Sequence, residues 1–318
     1  MARNKVQFQV GMSLTAFTDA FGTEEKCEAA VRRWRWPDGF RCPRCASARH
    51  SIVGRRRLYQ CNDCRHQTTL KAGTIFAKTR IPLTKWFQAM WLITQSKGSI
   101  STLELSRHLG LKWDSAWLLR QKLAHVMEND EAARLLDGRV EMDDAVWGGE
   151  QGEFEGGKRG RGGPNKVPFV VAVATSDDGR PARVLLHVVD RHSSDCIGKM
   201  ARAHLAPTAR VVSDGLGCFR AVTTVGCAHE AVVAARAGWS EKLPCFKWVN
   251  TVLGNVKTAI HGTFHALRRA YVPRYFAEFQ WRFNRRHYLS GLVENLARSA
   301  LATRPTPYAA LKAADVGG

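Results

Sequence analysis

Two pairs of cysteines in the first third of the chain restrict its fold more than any other feature. Cys42 and Cys45 form one pair and Cys61 and Cys64 the other, with two residues inside each pair and fifteen between the pairs. A two-residue gap lets two thiolates converge on one tetrahedral ion, and the intervening stretch is long enough for a β-hairpin. Four thiolates leave no open coordination position, so the pattern predicts a zinc ribbon at residues 42–64 that holds a structural Zn2+.

The chain also carries a large positive charge. Its 48 lysines and arginines outnumber 28 aspartates and glutamates, which gives a formal net charge of +20 over 318 residues. Solubility alone usually requires a net charge of about 2–8 in magnitude on a small domain, so this excess predicts nucleic acid as a partner. No apolar run approaches the ~18 residues of a membrane span, and the first residues lack the apolar core of a signal peptide. We therefore expect a cytoplasmic, nucleoid-associated protein without membrane contacts.

The segment after the cysteines is predicted to be helical. Pro82 opens an amphipathic helix, residues 101–109 form a short helix, and a longer helix begins near Asp114 after a glycine turn. This is a helix-turn-helix-like layout, in which the second helix contacts DNA. On that helix, Arg120, Gln121 and Lys122 are the predicted exposed residues, and Arg120 and Lys122 are the predicted DNA contacts. The alternative is that these charges only solvate a helix face.

The second half of the sequence changes to strand-like periodicity. The predicted elements, in order, are strands at 140–147, 167–175 and 182–189, a helix at 194–204, a strand at 210–213, a helix at 216–225, a strand at 230–235, and further helices. Three meandering strands followed by alternating helices and strands is the ribonuclease-H-like plan. We thus predict an α/β protein with a zinc-ribbon segment at 1–75, a helix-turn-helix-like region at 76–136 and a ribonuclease-H-like catalytic domain at 137–318.

Two aspartates lie on adjacent strands in this plan. Asp143 lies inside the first strand among apolar residues, and Asp214 directly follows the strand at 210–213, which adjoins the first strand. A buried carboxylate needs a partner or a metal, and two on neighbouring strands repel each other unless a cation such as Mg2+ lies between them. The third ligand should come from a late helix. The alternative, when each position is read separately, is that Asp143 and Asp144 form an exposed strand end and that Asp214 is a turn residue.

Between the first two strands lies a glycine-rich basic segment, residues 148–165. It contains Lys158, Arg159 and Arg161 among glycines, a composition typical of a mobile loop. We expect these three side chains to clamp DNA by contacting phosphates. The alternative is a solvated hairpin tip.

Several separated motifs resemble one known family, the insertion-sequence transposases that join an N-terminal zinc ribbon to a DDE-type catalytic domain, called the ISXO-like group. Besides the ribbon, the motifs are Lys-Ala-Gly-Thr-Ile-Phe at 71–76, Pro-Leu-Thr-Lys-Trp-Phe at 82–87, Val-Glu-Met-Asp-Asp at 140–144, Trp-Gly-Gly at 147–149, Val-Ser-Asp-Gly at 212–215, Asn-Thr-Val-Leu-Gly-Asn-Val-Lys at 250–257, Gly-Thr-Phe-His at 262–265, Tyr-Phe-Ala-Glu-Phe at 275–279 and Arg-Phe-Asn-Arg-Arg at 282–286. The resemblance covers nearly the whole chain.

The resemblance also assigns the third position of the metal site. Where many members carry a glutamate seven residues before a lysine, this chain has Asn250 before Lys257, so the triad is Asp, Asp, Asn. The amide oxygen of Asn250 can bind Mg2+ but cannot act as a base, and Lys257 lies close to the same helix face, where it would hold a DNA phosphate. Alternatives are a helix cap for Asn250 and a solvated charge for Lys257; rival third ligands are Asn255, Glu241 and Glu278.

The function implied by the resemblance is that of a DNA transposase. It would bind the double-stranded terminal repeats of its element, cleave them in a Mg2+-dependent reaction and join the ends to target DNA, working as a homo-oligomer on paired ends. One rival is a non-catalytic DNA-binding regulator built from a zinc ribbon and a helix-turn-helix. Another is a nuclease on the same fold that cuts DNA without strand transfer.

Overall fold

The computed structural model describes residues 6, 9–55, 57–96, 98–148, 166–232, 244–264 and 267–312. The chain forms two compact units. The first contains Met1–Val126 and His287–Ala313, and the second contains Met127–Arg286. Within the described part of the chain, no helix combines the length and apolar composition that a bilayer span requires.

The cysteine-bearing part of the first unit is a small antiparallel sheet, as the sequence predicts. Its strands are β1 (His50–Val53), β2 (Leu58–Cys61) and β3 (Gln67–Thr68), in the order β1-β2-β3. Phe40 and Tyr59 stack behind the sheet with ring centroids 5.5 Å apart. This aromatic cluster is too small to serve as a folding core, so the module depends on its cysteines.

Helices make up the rest of the first unit. They are α1 (Leu14–Phe21), α2 (Glu24–Arg35), α3 (Leu83–Gln95), α4 (Thr102–Leu109), the first part of α5 (Trp113–Ala132), α9 (Leu292–Ala302) and α10 (Tyr308–Lys312). Ser101 caps α4 by accepting a hydrogen bond from the backbone N–H of Glu104, and Gly110 ends it in the left-handed conformation at φ +57°. The helix, glycine turn and helix that the sequence predicts at 101–132 are therefore present.

The sequence predicts one continuous domain at 137–318. In the structure, helix α9 lies within that range but belongs to the first unit. One face of α9 is buried against α3 and α2. That face consists of Leu292, Val293, Leu296, Ala297 and Ala300. An amphipathic pattern shows that a helix must cover an apolar stripe but not which element covers it, so the sequence could not reveal this return of the chain.

The second unit is built on a five-stranded mixed sheet. Its strands are β4 (Arg139–Trp147), β5 (Val167–Thr175), β6 (Pro181–Val188), β7 (Arg210–Ser213) and β8 (Ala228–Ala231), in the order β6-β5-β4-β7-β8. The first three pair antiparallel, whereas β4, β7 and β8 run parallel. This order confirms the ribonuclease-H-like plan.

Helices cover both faces of that sheet. Helix α6 (Ser194–His204) and a 3-10 helix (Gly217–Val225) pack on the face that carries Val140 and Met142. Helices α7 (Lys247–His261) and α8 (Val272–Asn284) pack on the face that carries Trp147. Because side chains alternate along a strand, the odd-numbered positions of β4 face α7.

Candidate metal centres and basic groove

The four cysteines of the ribbon converge on one point. Their sulfur atoms all lie within 4.8 Å of one another, with Cys42 Sγ 3.6 Å from Cys64 Sγ and Cys45 Sγ 3.5 Å from Cys61 Sγ. Tetrahedral zinc with Zn–S bonds of about 2.3 Å requires sulfurs ~3.8 Å apart, so this donor set fits the ion. A hydrogen bond from the backbone N–H of Cys64 lowers the pKa of the Cys61 thiol to about 6, which favours the thiolate that a metal needs.

Three carboxylates of the second unit form the other candidate metal centre. Ligand oxygens of Asp143, Asp144 and Asp214 lie within 4.8 Å of one another, and all three residues are partly buried. The cause is the parallel pairing of β4 with β7, in which Met142 stands opposite Ser213, so the next residue of each strand is an aspartate. Three like charges at this separation repel each other, and a divalent cation with a preference for oxygen ligands relieves that repulsion.

Hydrogen bonds hold these carboxylates in place. Asp143 Oδ1 accepts a hydrogen bond from the backbone N–H of Asp144 at 2.9 Å, and Asp214 Oδ1 accepts one from the N–H of Leu216 at 3.1 Å. Asp144 Oδ2 lies 3.8 Å from Nδ1 of His192, whose other ring nitrogen lies 3.2 Å from the carbonyl oxygen of Phe169. In the sequence analysis, Asp144 enters only together with Asp143, as part of an exposed strand end. The structure adds Asp144 to the candidate metal ligands.

The predicted third ligand and its lysine lie on one helix. Asn250 is exposed in the first turn of α7, and Lys257 is exposed two turns later. Of the rival residues, Glu278 is buried on α8 with its carboxylate 3.9 Å from Arg282, and Glu241 lies outside the described residues. The roles of Asn250 and Lys257 remain predictions.

The helix-turn-helix side chains differ from expectation. The predicted exposure of Arg120 and Gln121 is wrong: Arg120 is 1% exposed and Gln121 is fully buried, and the Nε of Arg120 donates a hydrogen bond to the carbonyl oxygen of Ile100 at 3.2 Å. An α5 position that faces the neighbouring helices cannot reach DNA. Lys122 is half-buried, and burial lowers the pKa of its amine. Lys158, Arg159 and Arg161 lie outside the described residues.

Lys122 opens onto a basic groove of about 1310 Å³ within the first unit. The groove runs between the ribbon, α2, the segment at 69–80, α5 and the residues at 305–308. Six lysines and arginines line it: Arg32, Arg57, Lys71, Lys78, Arg80 and Lys122. Among the described lining residues, Glu28 is the one acidic side chain. Such an excess of cations in a concave surface attracts an extended anion.

Sequence models of two protein domains match this chain. Residues 22–67 match the transposase zinc-ribbon domain, and residues 135–284 match the ISXO2-like transposase domain. Together these two matches cover more than half of the chain, and they place the thiol cluster in one domain and the carboxylate cluster in the other.

The individual proteins that resemble this chain share low sequence identity with it. An uncharacterized protein in transposable element ISH50 of Halobacterium salinarum is 26% identical over 127 residues, which are 39% of this chain and 42% of that protein. The chain thus matches less than half the length of this relative. A chain in the crystal structure of a pre-cleavage Mos1 transpososome aligns over 78% of its length and 68% of this chain, with 11% identity and a TM-score of 0.21, which is too slight a likeness to carry an argument. On the two domain matches, the chain belongs to the transposase family that joins a zinc-ribbon domain to an ISXO2-like transposase domain.

Proposed function

We propose that this protein is a metal-dependent DNA transposase that cuts DNA at the ends of an insertion sequence and joins the cut ends to target DNA. The observation that carries the proposal is the carboxylate cluster of Asp143, Asp144 and Asp214. These residues stand on the central strands of a ribonuclease-H-like sheet, in a region that matches a transposase domain. A divalent cation would offset the mutual repulsion of these three carboxylates, which costs folding free energy.

The residues proposed to hold Mg2+ are Asp143, Asp214 and Asn250, and the structure adds Asp144 as a further oxygen donor. Carboxylate and amide oxygens are the ligands that Mg2+ prefers. When bound, Mg2+ supplies charge neutralisation at the attacking and leaving oxygens of a phosphodiester. Asn250 is neutral and accepts no proton, so its role is limited to binding. Lys257, close to the same helix face, is proposed to hold a DNA phosphate.

Transposition consists of two reactions, and both are substitutions at the phosphorus of a DNA phosphodiester. In cleavage, a water oxygen bonds to phosphorus, the bond from phosphorus to the 3′ oxygen breaks, and a proton moves from the water to the departing 3′ oxygen. In strand transfer, that 3′ hydroxyl oxygen bonds to a phosphorus of target DNA, and the target's own 3′ oxygen leaves with the proton. Both are in-line displacements that need positioning and charge stabilisation and no protein nucleophile.

The basic groove of the first unit is the proposed site for double-stranded terminal-repeat DNA. Its six cations provide the phosphate contacts, and the ribbon beside it holds its structural Zn2+ through Cys42, Cys45, Cys61 and Cys64. Lys158, Arg159 and Arg161 are proposed as further DNA contacts. We infer a homo-oligomer on paired ends from the membership of the transposase family, because two copies can hold the two ends of one element at the same time.

The test is a transposition assay with a donor plasmid that carries the DNA flanking this gene. Native protein is compared with Asp143→Ala, Asp214→Ala and Asn250→Ala. The control is Asp195→Ala, which removes an exposed carboxylate that pairs with Lys199 of its own helix. We expect insertions with the native protein and Asp195→Ala and none with Asp143→Ala, Asp214→Ala or Asn250→Ala. Specific binding to the flanking DNA without Mg2+, accompanied by no cleavage in any sample, would instead identify a regulator.

A further inference from the structure

A buried glutamate near the carboxylate cluster has a set of partners that the proposed mechanism does not use. Glu141 lies on β4, two residues before Asp143, and is 1% exposed. A buried carboxylate is costly unless hydrogen-bond donors compensate it. Here Arg139 Nη1 donates to Oε1 at 3.0 Å, and the backbone N–H groups of Trp248 and Val249 donate to Oε2 at 2.8 and 3.0 Å.

The two backbone donors belong to the first turn of α7. Helix N-termini leave four N–H groups without partners inside the helix, and the residue before α7, Phe246, provides no side-chain cap. Glu141 therefore caps α7 from a strand 107 residues earlier in the chain. Its negative charge also interacts favourably with the positive end of the helix dipole. Arg139 extends the connection, because its Nη2 donates to the carbonyl oxygen of Cys245 at 3.2 Å.

Besides these bonds, Trp248 Nε1 donates a hydrogen bond to the carbonyl oxygen of Gly179, in the turn between β5 and β6, at 2.7 Å, and the packed contact between α7 and the sheet is apolar. Val249, Val252, Val256 and Ile260 form its buried stripe. An apolar stripe is non-directional, so it drives burial of the helix without defining its position along the strand to a fraction of an ångström. Hydrogen bonds have strict distances and angles, and the Glu141 bonds are therefore the directional part of the attachment to β4, whereas the Trp248 bond attaches α7 to the turn between β5 and β6.

The residue after Val249 is Asn250, the proposed third metal ligand. Glu141 and Asp143 lie on the same face of β4, about 7 Å apart along the strand at ~3.4 Å per residue. One carboxylate thus attaches the start of α7 to the strand that carries the first metal ligand. Asp214 is held in register with Asp143 by the pairing of β4 and β7, and no strand pairing does this for Asn250.

We propose that Glu141 is a positioning residue, which sets Asn250 at the distance from Asp143 that metal binding needs. The inference rests on the proposed function, because it assumes that Asn250 contributes to the same metal site as Asp143. It predicts that the loss of Glu141 weakens metal affinity through Asn250, and that DNA binding in the absence of added divalent metal does not change.

The experiment measures Mn2+ affinity of the zinc-loaded full chain by the electron paramagnetic resonance signal of free Mn2+. Removal of an outer-shell partner typically costs 10–100-fold in metal affinity, so Glu141→Ala should raise the Kd at least about tenfold. Glu141→Gln keeps one carbonyl acceptor for the two N–H groups and should raise the Kd by roughly threefold, equivalent to part of one hydrogen bond. Thermal melting of each variant shows that it is folded, and Glu141→Gln carries the test if Glu141→Ala does not fold.

Glu131→Gln is the matched control. Glu131 is another buried carboxylate of the second unit, with Arg183 Nη2 at 2.9 Å and Asn284 Nδ2 at 2.6 Å, and it does not contact α7 in these hydrogen bonds. Its variant should lower the melting temperature and leave Mn2+ affinity unchanged. Equal weakening by Glu131→Gln and Glu141→Gln would overturn the inference, because the effect would then come from general loss of stability.

A double-mutant cycle gives the most specific readout. If Glu141 acts through Asn250, adding Glu141→Gln to Asn250→Ala should not weaken Mn2+ binding further. Additive losses would overturn the inference and leave the metal site intact. If the Asp143→Ala variant binds Mn2+ as tightly as the native protein does, the proposed metal site itself is overturned, and the positioning role with it.

Discussion

The basic groove makes a quantitative prediction about the salt dependence of DNA binding. Each phosphate that a lysine or arginine neutralises in duplex DNA releases counterions, which contributes about −0.9 to the slope of log K against log salt concentration. Six cations line the groove, so contacts from all of them would give a slope of about −5.4. Affinity should then fall by about 2,000-fold between 50 and 200 mM NaCl.

The perturbation is the double variant Lys78→Ala, Arg80→Ala. Both side chains are exposed in the segment between the ribbon and α3, so their removal leaves no buried cavity. With two contacts fewer, the slope should fall to about −3.6 and the same salt change should cost about 150-fold in affinity.

The assay is fluorescence anisotropy of a labelled 30-base-pair duplex from the flanking DNA, titrated at several NaCl concentrations without added Mg2+. Arg202→Ala is the control, because Arg202 is an exposed arginine of α6 that does not line the groove. A double variant with the slope of the native protein would refute the assignment of the groove, and so would an equal reduction by the single change Arg202→Ala.

Three further predictions concern stability. Cys61→Ser should release zinc and unfold the ribbon, because the module depends on its metal. Zinc content and proteolysis at residues 42–64 measure this, and a zinc-free ribbon that resists protease would contradict it. Burial, with a smaller effect of His204, lowers the pKa of His187 to about 4. As pH falls from about 6.5 towards 4, the unfolded chain therefore binds a proton at this histidine before the folded chain does, and stability is lost in that window. Between pH 7.5 and 5 this histidine should contribute a loss of about 2 kcal/mol in urea unfolding, and His187→Gln should remove that part and leave the losses due to His204 and His229, whose pKa values burial also lowers. Gly110→Ala should cost about 1–2 kcal/mol because an L-residue is strained at φ +57°, whereas exposed Gly217, with negative φ, should tolerate alanine in the same thermal melt.

Local patterns predicted most elements of both units, because each depends on residues that are neighbours in sequence. The Cys42 to Cys64 spacing located the ribbon, and the predicted strand at 167–175 and helix at 194–204 have the bounds seen in the structure. The predicted helix at 216–225 is a 3-10 helix, a difference in hydrogen bonding that apolar spacing does not distinguish.

Long-range partners were the part that the sequence could not supply. Arg120 looks like a typical exposed helix charge, and only the position of Ile100 shows that it is buried. Glu141 stands between Val140 and Met142 in a strand, so its burial could have been inferred, but its partners in α7 lie more than 100 residues away. Asp144 should point away from Asp143 by strand alternation, and it joins the cluster where β7 has ended beside β4.

The return of residues 287–312 to the first unit has a consequence for synthesis on the ribosome. Chains emerge from their N-terminus at about 5–20 residues per second, and domains generally fold in that order. Helices α2 and α3 precede the second unit in the chain and α9 follows it, so α2 and α3 wait with an uncovered apolar face for roughly 10–40 seconds until α9 has been translated. A transcript broken inside the second unit would therefore yield no complete first unit, and truncated copies of the gene should not produce a competing DNA-binding fragment.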